Sequence, residues 1–297
     1  MPGVSVLIVG GGPVGLATGI ALRRWDIDCT LIERHPSTLE YPKGRGVSAR
    51  TMEIFRQWGI EDEITDAGLP RTDTEHFFVG DTLLAEAFQR FDRADLGREP
   101  TPSPTERLIC PQDLVEAVLL KQALATGVDV RFSTDLIDLV NADDRATATV
   151  RHLSTGAETQ LEASFVVAAD GGRSTARSLL GIGTSGPGPI GNSVSILVHA
   201  ELAERVKDRL ATIYKVAHPH ESAFFAVVDN DRRWLLMMAR DPDTQPEELF
   251  TEQHCLELVR AGLGDDSIPL EFKHQWFFQP TALVADSFRA MSHVPGR

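Results

Sequence analysis

Gly10, Gly12 and Gly15 have the spacing of a phosphate cradle, and Glu33 follows where a ribose would need an acceptor. In Gly10-Gly11-Gly12-Pro13-Val14-Gly15 the first glycine allows a tight turn. Gly12 lets the backbone approach a pyrophosphate, and Gly15 lets a helix pack closely on a strand. Pro13 and Val14 open that helix, whose free N–H groups and positive dipole end favour phosphate oxygens. The Glu33 carboxylate can accept hydrogen bonds from adenosine ribose hydroxyls. Binding of a dinucleotide is the chemistry these residues supply. They do not separate NAD from FAD, because both place an ADP half on the same turn and acid.

The elements that must position these residues are legible around them. An apolar run, Val4 to Val9, leads into the glycines, a helix-period segment runs from Leu16 to Trp25, and a second apolar run, Cys29 to Ile32, delivers Glu33. Val166 to Ala169 reads as a further buried strand that aims Asp170-Gly171 from its end, before a helix running through Arg177 to Leu180. Ile109-Cys110-Pro111-Gln112 opens a long amphipathic helix; Pro111 stands where its missing N–H costs nothing, and Gln112 points its amide off the helix start. The residues alone also admit plainer roles. Asp170-Gly171 can be a turn with Ser174 as N-cap, Arg173 and Arg177 a solvated helix face, and Gln112 a partner for first-turn backbone donors.

Four motifs in this order, GGGPVG with Glu33-Arg34, PKGRGVSARTMEIFRQWGI at 42–60, the PQDLVEAVL helix start and ADGGRSTAR at 169–177, resemble the class A FAD-dependent aromatic monooxygenases, in the branch of phenol hydroxylase and polyketide hydroxylases. The resemblance covers nearly the whole chain. It implies that Asp170 and Gly171 contact the ribityl and pyrophosphate region of FAD, that Gln112 lies near the ribityl chain, and that Arg34 lies near the adenosine. An arginine after the second strand approaches the phosphates or ribose. Arg45 is the simplest choice, with Lys43 and Arg50 as local rivals. It further implies that NAD(P)H reduces FAD and that a flavin C4a-hydroperoxide, formed with O2, transfers one oxygen to a phenolic or polyketide-type ring. Flavoproteins of the same fold that reduce or halogenate are the neighbouring reading, and the WxWxIP string of the halogenases is absent.

Members of that family carry a third cofactor motif, Gly-Asp followed by Ala-Ala-His, just after a segment like Asp286-Ser287-Phe288-Arg289-Ala290. Here the sequence reads Met291-Ser292-His293-Val294-Pro295-Gly296-Arg297, and no such string occurs. The expectation is a shortened chain whose missing part comes from a partner chain or whose exposed apolar surface drives homo-oligomers. The alternative is a noncatalytic remnant or split subunit with a partial nucleotide site.

A length of 297 residues, 42% hydrophobic and 24% charged, describes a globular protein with room for two units. The formal charge of −14 argues against nucleic acid as a partner. Cys29, Cys110 and Cys255 are far apart without metal spacing, and Cys29 and Cys110 read as buried thiols, which with the absence of a basic leader or a membrane-length apolar run points to the cytoplasm. His218 and His220, flanking Pro219, read as loop imidazoles rather than ligands.

Strand patterns recur at 76–80 and 85–88 and dominate from Ser193 in SVSILVHA, ATIYKV, SAFFAVV and RRWLLMMA, with Asp229-Asn230-Asp231 as a hairpin connection and a helix from Glu247 to Ala261. The proline-rich stretch at 97–104 reads as an extended connection. The expected fold is therefore α/β, a Rossmann-like FAD-binding domain (1–75, 103–182 and 281–297) with an inserted, mostly antiparallel β-sheet substrate domain (76–102 and 183–280). Phe224, Phe225, Trp234, Trp276, Phe277 and Phe278 are candidates to line a substrate pocket, and no catalytic residue or metal ligand is assigned.

Overall fold

The computed structural model describes residues 4–70, 76–92, 102–142, 145–229 and 231–290. The chain begins with β1 (Val4–Val9), α1 (Pro13–Arg23) and β2 (Cys29–Ile32). It continues through β3 (Gly46–Val47), α2 (Ala49–Trp58), α3 (Glu61–Ala67), β4 (His76–Gly80), β5 (Phe88–Asp92) and β6 (Leu108–Ile109). Next come α4 (Gln112–Ala125), β7 (Asp129–Arg131), β8 (Thr134–Asn141), β9 (Ala146–His152), β10 (Glu158–Ala168) and α5 (Thr175–Leu179). The last stretch holds β11 (Thr184–Pro189), β12 (Ser193–His199), α6 (Ala203–Val206), β13 (Ile213–Val216), β14 (Ala223–Val227), β15 (Arg233–Ala239), α7 (Glu252–Leu263), β16 (Glu271–Phe278) and β17 (Thr281–Ala285).

The chain divides into two compact units, one of Met1–Pro42, Gln112–Gly186 and Leu283–Arg297, the other of Lys43–Pro111 and Pro187–Ala282. The first is built on a six-stranded sheet in the order β7-β2-β1-β10-β9-β8. Its β7, β2, β1 and β10 run parallel, while β9 and β8 continue the sheet antiparallel. Leu7, Ile8, Leu31 and Ile32 are almost wholly buried, as continuous apolar runs are in parallel strands covered on both faces. This is the Rossmann-like arrangement expected. The second unit carries a seven-stranded sheet, β16-β12-β15-β14-β13-β4-β5, antiparallel except where β13 meets β4. Its core takes Trp234, Leu236, Phe225 and Tyr214 from the sheet and Cys255, Val259 and Leu263 from α7.

The unit boundaries differ from the sequence-based ones. Segments 43–75 and 103–111 were grouped with the dinucleotide domain, yet they fall in the second unit as far as they are described. Leu69 and Ile109 join that unit's core, and Arg45 Nη1 donates to the carbonyls of Thr212 and Val227. Of the strand expected at 85–88 only Phe88 is in a strand, as the first residue of β5; Ala85–Ala87 are irregular. Leu83 and Leu84 donate their N–H groups to the carbonyls of Gly262 and Leu263 at the end of α7, which takes the segment out of the ladder until Gly80 meets Phe88. The helix expected from Glu247 starts at Glu252, because the Thr251 hydroxyl caps it by accepting from the His254 N–H. Part of the connection at 97–104, Asn230 of the hairpin and all of Met291–Arg297 lie outside the described residues.

Candidate functional site

Register brings the candidate residues of the first unit together. Val9 is level with Ile32 of β2 and Ala168 of β10, so the next residues, Gly10, Glu33 and Ala169-Asp170, emerge side by side from the carboxyl ends of three adjacent parallel strands. That edge is where ligands bind in open α/β sheets. The Gly10 N–H donates to Ile32 O at 2.9 Å and the Ala169 N–H to Val9 O at 2.8 Å, which closes the corner.

Each glycine of the turn has its own reason. Gly10 adopts φ +109°, and a Cβ there would lie 2.5 Å from the Ala169 carbonyl oxygen. On Gly15 a Cβ would come within 1.8 Å of Gly10 O, and on Gly11 within 2.8 Å of the Glu33 Cβ. Gly12 is different. A Cβ on it would meet only Glu116 Oε1, at 4.0 Å. Protein packing therefore does not require glycine at position 12, and the open space beside it lies at the N-terminus of α1, where Pro13 is the first helical residue and Val14 is 66% exposed.

Glu33 is held from three directions. Oε2 accepts the Gly11 N–H at 2.6 Å; Oε1 accepts the His35 N–H at 2.8 Å and lies 2.5 Å from His35 Nδ1. Burial pushes the carboxyl upward, but the hydrogen bonds from the His35 and Gly11 backbone and the His35 ring outweigh it, leaving the group below the usual glutamate range. A carboxylate accepts about four hydrogen bonds, so about one acceptor position remains for a ribose hydroxyl. Arg34 beside it is exposed and makes no hydrogen bond or ion pair among the described residues.

Gln112 is the first residue of α4, and its Nε2 donates to Glu116 Oε1 at 2.8 Å, while Glu116 Oε2 accepts the Leu39 N–H at 2.8 Å. Glu116, 3% exposed, was not among the sequence candidates. Its signal was the i,i+4 spacing from Gln112, which places both on one helix face. Asp170 takes the plainer role: Oδ1 accepts from Ser174 Oγ at 2.6 Å and Oδ2 from the Ala176 N–H at 3.0 Å, fastening the start of α5. Gly171, at φ +80°, forms the turn between them. Arg45 belongs to the second unit, where burial without an acidic partner lowers its guanidinium to about 10.

The sequence profile of a family described as FAD binding domain matches residues 3–291. The chain belongs to that family. A polyketide hydroxylase of Streptomyces coelicolor is 35% identical over 293 residues, covering 97% of this chain and 46% of that protein. The tetracenomycin B2 monooxygenase-dioxygenase of Streptomyces olivaceus is 32% identical, with 97% and 56% covered. Among solved structures, aklavinone-11 hydroxylase with FAD and aklavinone superposes with a TM-score of 0.84 at 29% identity, covering 97% of this chain and 55% of that one. The flavin-dependent monooxygenase PieE, with FAD and substrate, gives 0.88 at 25%, covering 97% and 51%. The chain thus spans about half the length of these relatives.

The residues present fit the ADP half of FAD. An FAD-binding domain needs a backbone opening for a pyrophosphate and an acceptor for a ribose, and Gly12 and Glu33 supply them on adjoining strand ends.

Proposed function

We propose that this chain binds FAD through Gly10–Gly15, Glu33 and Arg34 and serves in an NAD(P)H-dependent hydroxylation of a phenolic or polyketide-type ring. Gly12 carries the proposal: the other glycines of the turn are demanded by neighbouring protein atoms, whereas Gly12 borders open space at a helix N-terminus. FAD, when bound, accepts a hydride from NAD(P)H and activates O2, so that one oxygen atom enters the ring and the other leaves as water. The chain's own residues bind and orient. The α1 N–H groups face the phosphates, Glu33 accepts from the ribose, and Gln112, with its Nε2 engaged by Glu116, presents its carbonyl oxygen as an acceptor for ribityl hydroxyls. Asp170 and Gly171 shape the neighbouring strand end.

The named polyketide and aromatic hydroxylases among the relatives support an aromatic substrate. The dinucleotide unit, of Met1–Pro42, Gln112–Gly186 and Leu283–Arg297, and the large sheet of the second unit are assigned to cofactor and substrate respectively. A cytoplasmic setting belongs to the same reading, supported by three buried free thiols. No helix among the described residues is long and apolar enough to cross a membrane. The test is a visible absorption spectrum of the purified chain after FAD addition and removal of unbound cofactor. A retained, shifted flavin band is expected, followed by NAD(P)H oxidation stimulated by a phenol. A folded, colourless protein overturns the proposal.

A further inference from the structure

Ser195 lies in the middle of β12, with β15 on one side and β16 on the other. The residue is 0% exposed, and its Oγ meets no hydrogen-bond partner among the described residues. The sheet around it has two unlike faces. Val194, Ile196 and Val198 point with Leu236 and Met238 into the apolar core that α7 shares. Strand alternation turns Ser195 the other way. On that face it is directly level with Met237 of β15 and Trp276 of β16, and Met237 is level with Phe224 of β14. Phe224, Met237, Ser195 and Trp276 thus form one row across four adjacent strands. The three large side chains are half-buried, and the short Ser195 side chain between Met237 and Trp276 is fully buried. His274 stacks with Trp276 at 5.9 Å and 23°, bracing the indole from its own strand.

An unpaired hydroxyl is a poor choice for packing, since alanine would fill the same place without burying an unsatisfied group. Two flat rings and a polarisable, flexible thioether around a hydroxyl suit a planar aromatic guest carrying oxygen. We propose that Ser195 is a specificity-determining residue, anchoring a phenol or ketone oxygen of a polycyclic aromatic ligand that lies along the Phe224, Met237 and Trp276 row. Met237 turns aside to admit it. This rests on the aromatic-substrate reading above and adds the residue that reads the ring's oxygen. The hydroxyl accepts from a phenol or donates to a ketone, and a ring without oxygen leaves it unpaired, which such sites discriminate against.

The experiment titrates alizarin, a dihydroxylated anthraquinone, and anthracene into the wild-type chain and S195A, reading tryptophan fluorescence, with thermal unfolding and FAD titration on both proteins. S195A is expected to unfold at the same or a higher temperature, to bind alizarin about tenfold more weakly and to bind anthracene unchanged. Equal alizarin affinity in the two proteins, a folded wild type that binds no alizarin, or a destabilised S195A overturns the assignment. FAD binding separates the two proposals: retained flavin with unaltered alizarin affinity removes Ser195 alone, whereas loss of flavin binding strikes the cofactor reading and leaves the alizarin comparison to be judged on its own.

Discussion

At Gly15 one added carbon would lie 1.8 Å from the Gly10 carbonyl oxygen, while at Gly12 it would touch nothing closer than 4.0 Å. Two alanine substitutions in one turn therefore have opposite consequences. G15A must push α1 off β1 and is expected to lower stability by several kcal/mol or abolish soluble expression, as overpacking does at about 1–3 kcal/mol or more. G12A is expected to keep the wild-type unfolding midpoint while its FAD affinity falls, since the carbon fills the approach to the pyrophosphate. Equilibrium denaturation and flavin titration on the pair check both outcomes, and a destabilised G12A would show that the opening serves the fold. Glu33 gives a second residue-scale prediction. Its folded-state carboxyl is held below the ordinary 4.5, so its contribution to stability is present above that value and is lost as pH falls through the lower, folded value. The stability difference between wild type and E33Q should be fully present above the ordinary 4.5 and shrink as pH falls below it, with His35 as the ionisable neighbour in contact. A difference that grows in acid contradicts the arrangement.

Helix α4 ties two separated pieces of its unit together through one buried carboxylate. Glu116 accepts from Gln112, one turn earlier, and from the Leu39 N–H, which belongs to the stretch after β2 that also carries Arg34. Removing the carboxylate strands both donors, so E116A is expected to lose about 1–3 kcal/mol in chemical denaturation. E116Q, which keeps one acceptor oxygen, should lose less. The same element explains what sequence reading could and could not see. β1 and β2 were legible because a parallel strand buried on both faces is an unbroken apolar run, and β12, β14 and β15 because they are short, dense apolar runs of strand length. β7, β8 and β9 passed unread: Thr134–Asn141 and Ala146–His152 mix threonine, aspartate and arginine with the apolar residues of half-exposed strands. The sequence does not mark Glu116 or Ser195 as buried, because contacts from distant parts of the chain bury them: the Leu39 loop at Glu116, and β15 and β16 at Ser195. The six aromatics proposed for a pocket are divided by the pleat. Phe225, Trp234 and Phe277 face the core, while Phe224, Trp276 and Phe278 fall on the opposite face.

In the whole molecule the dinucleotide unit is assembled from three separate stretches of chain, with segments of the second unit intervening in sequence. The glycine turn and Glu33 come from the first stretch, and Gln112, Glu116, Asp170 and Gly171 from the second. A ligand that touches both stretches binds only the folded unit, so its binding free energy adds directly to stability as RT ln(1 + [L]/Kd), about 2.7 kcal/mol at a hundredfold excess over Kd. FAD is therefore expected to raise the unfolding temperature of the wild-type chain in a concentration-dependent way. G12A should start from the wild-type temperature and show little shift, because the fold survives but the pyrophosphate approach is closed. NAD+ at equal concentration is the decisive control, since in the proposed binding mode its ADP half would meet the same turn and acid, while only FAD would bring a ribityl chain toward Gln112. A larger shift with FAD than with NAD+, diminished in Q112A, assigns the site to the flavin cofactor. Equal shifts would instead make the turn a general ADP cradle and leave Gln112 as a first-turn structural residue.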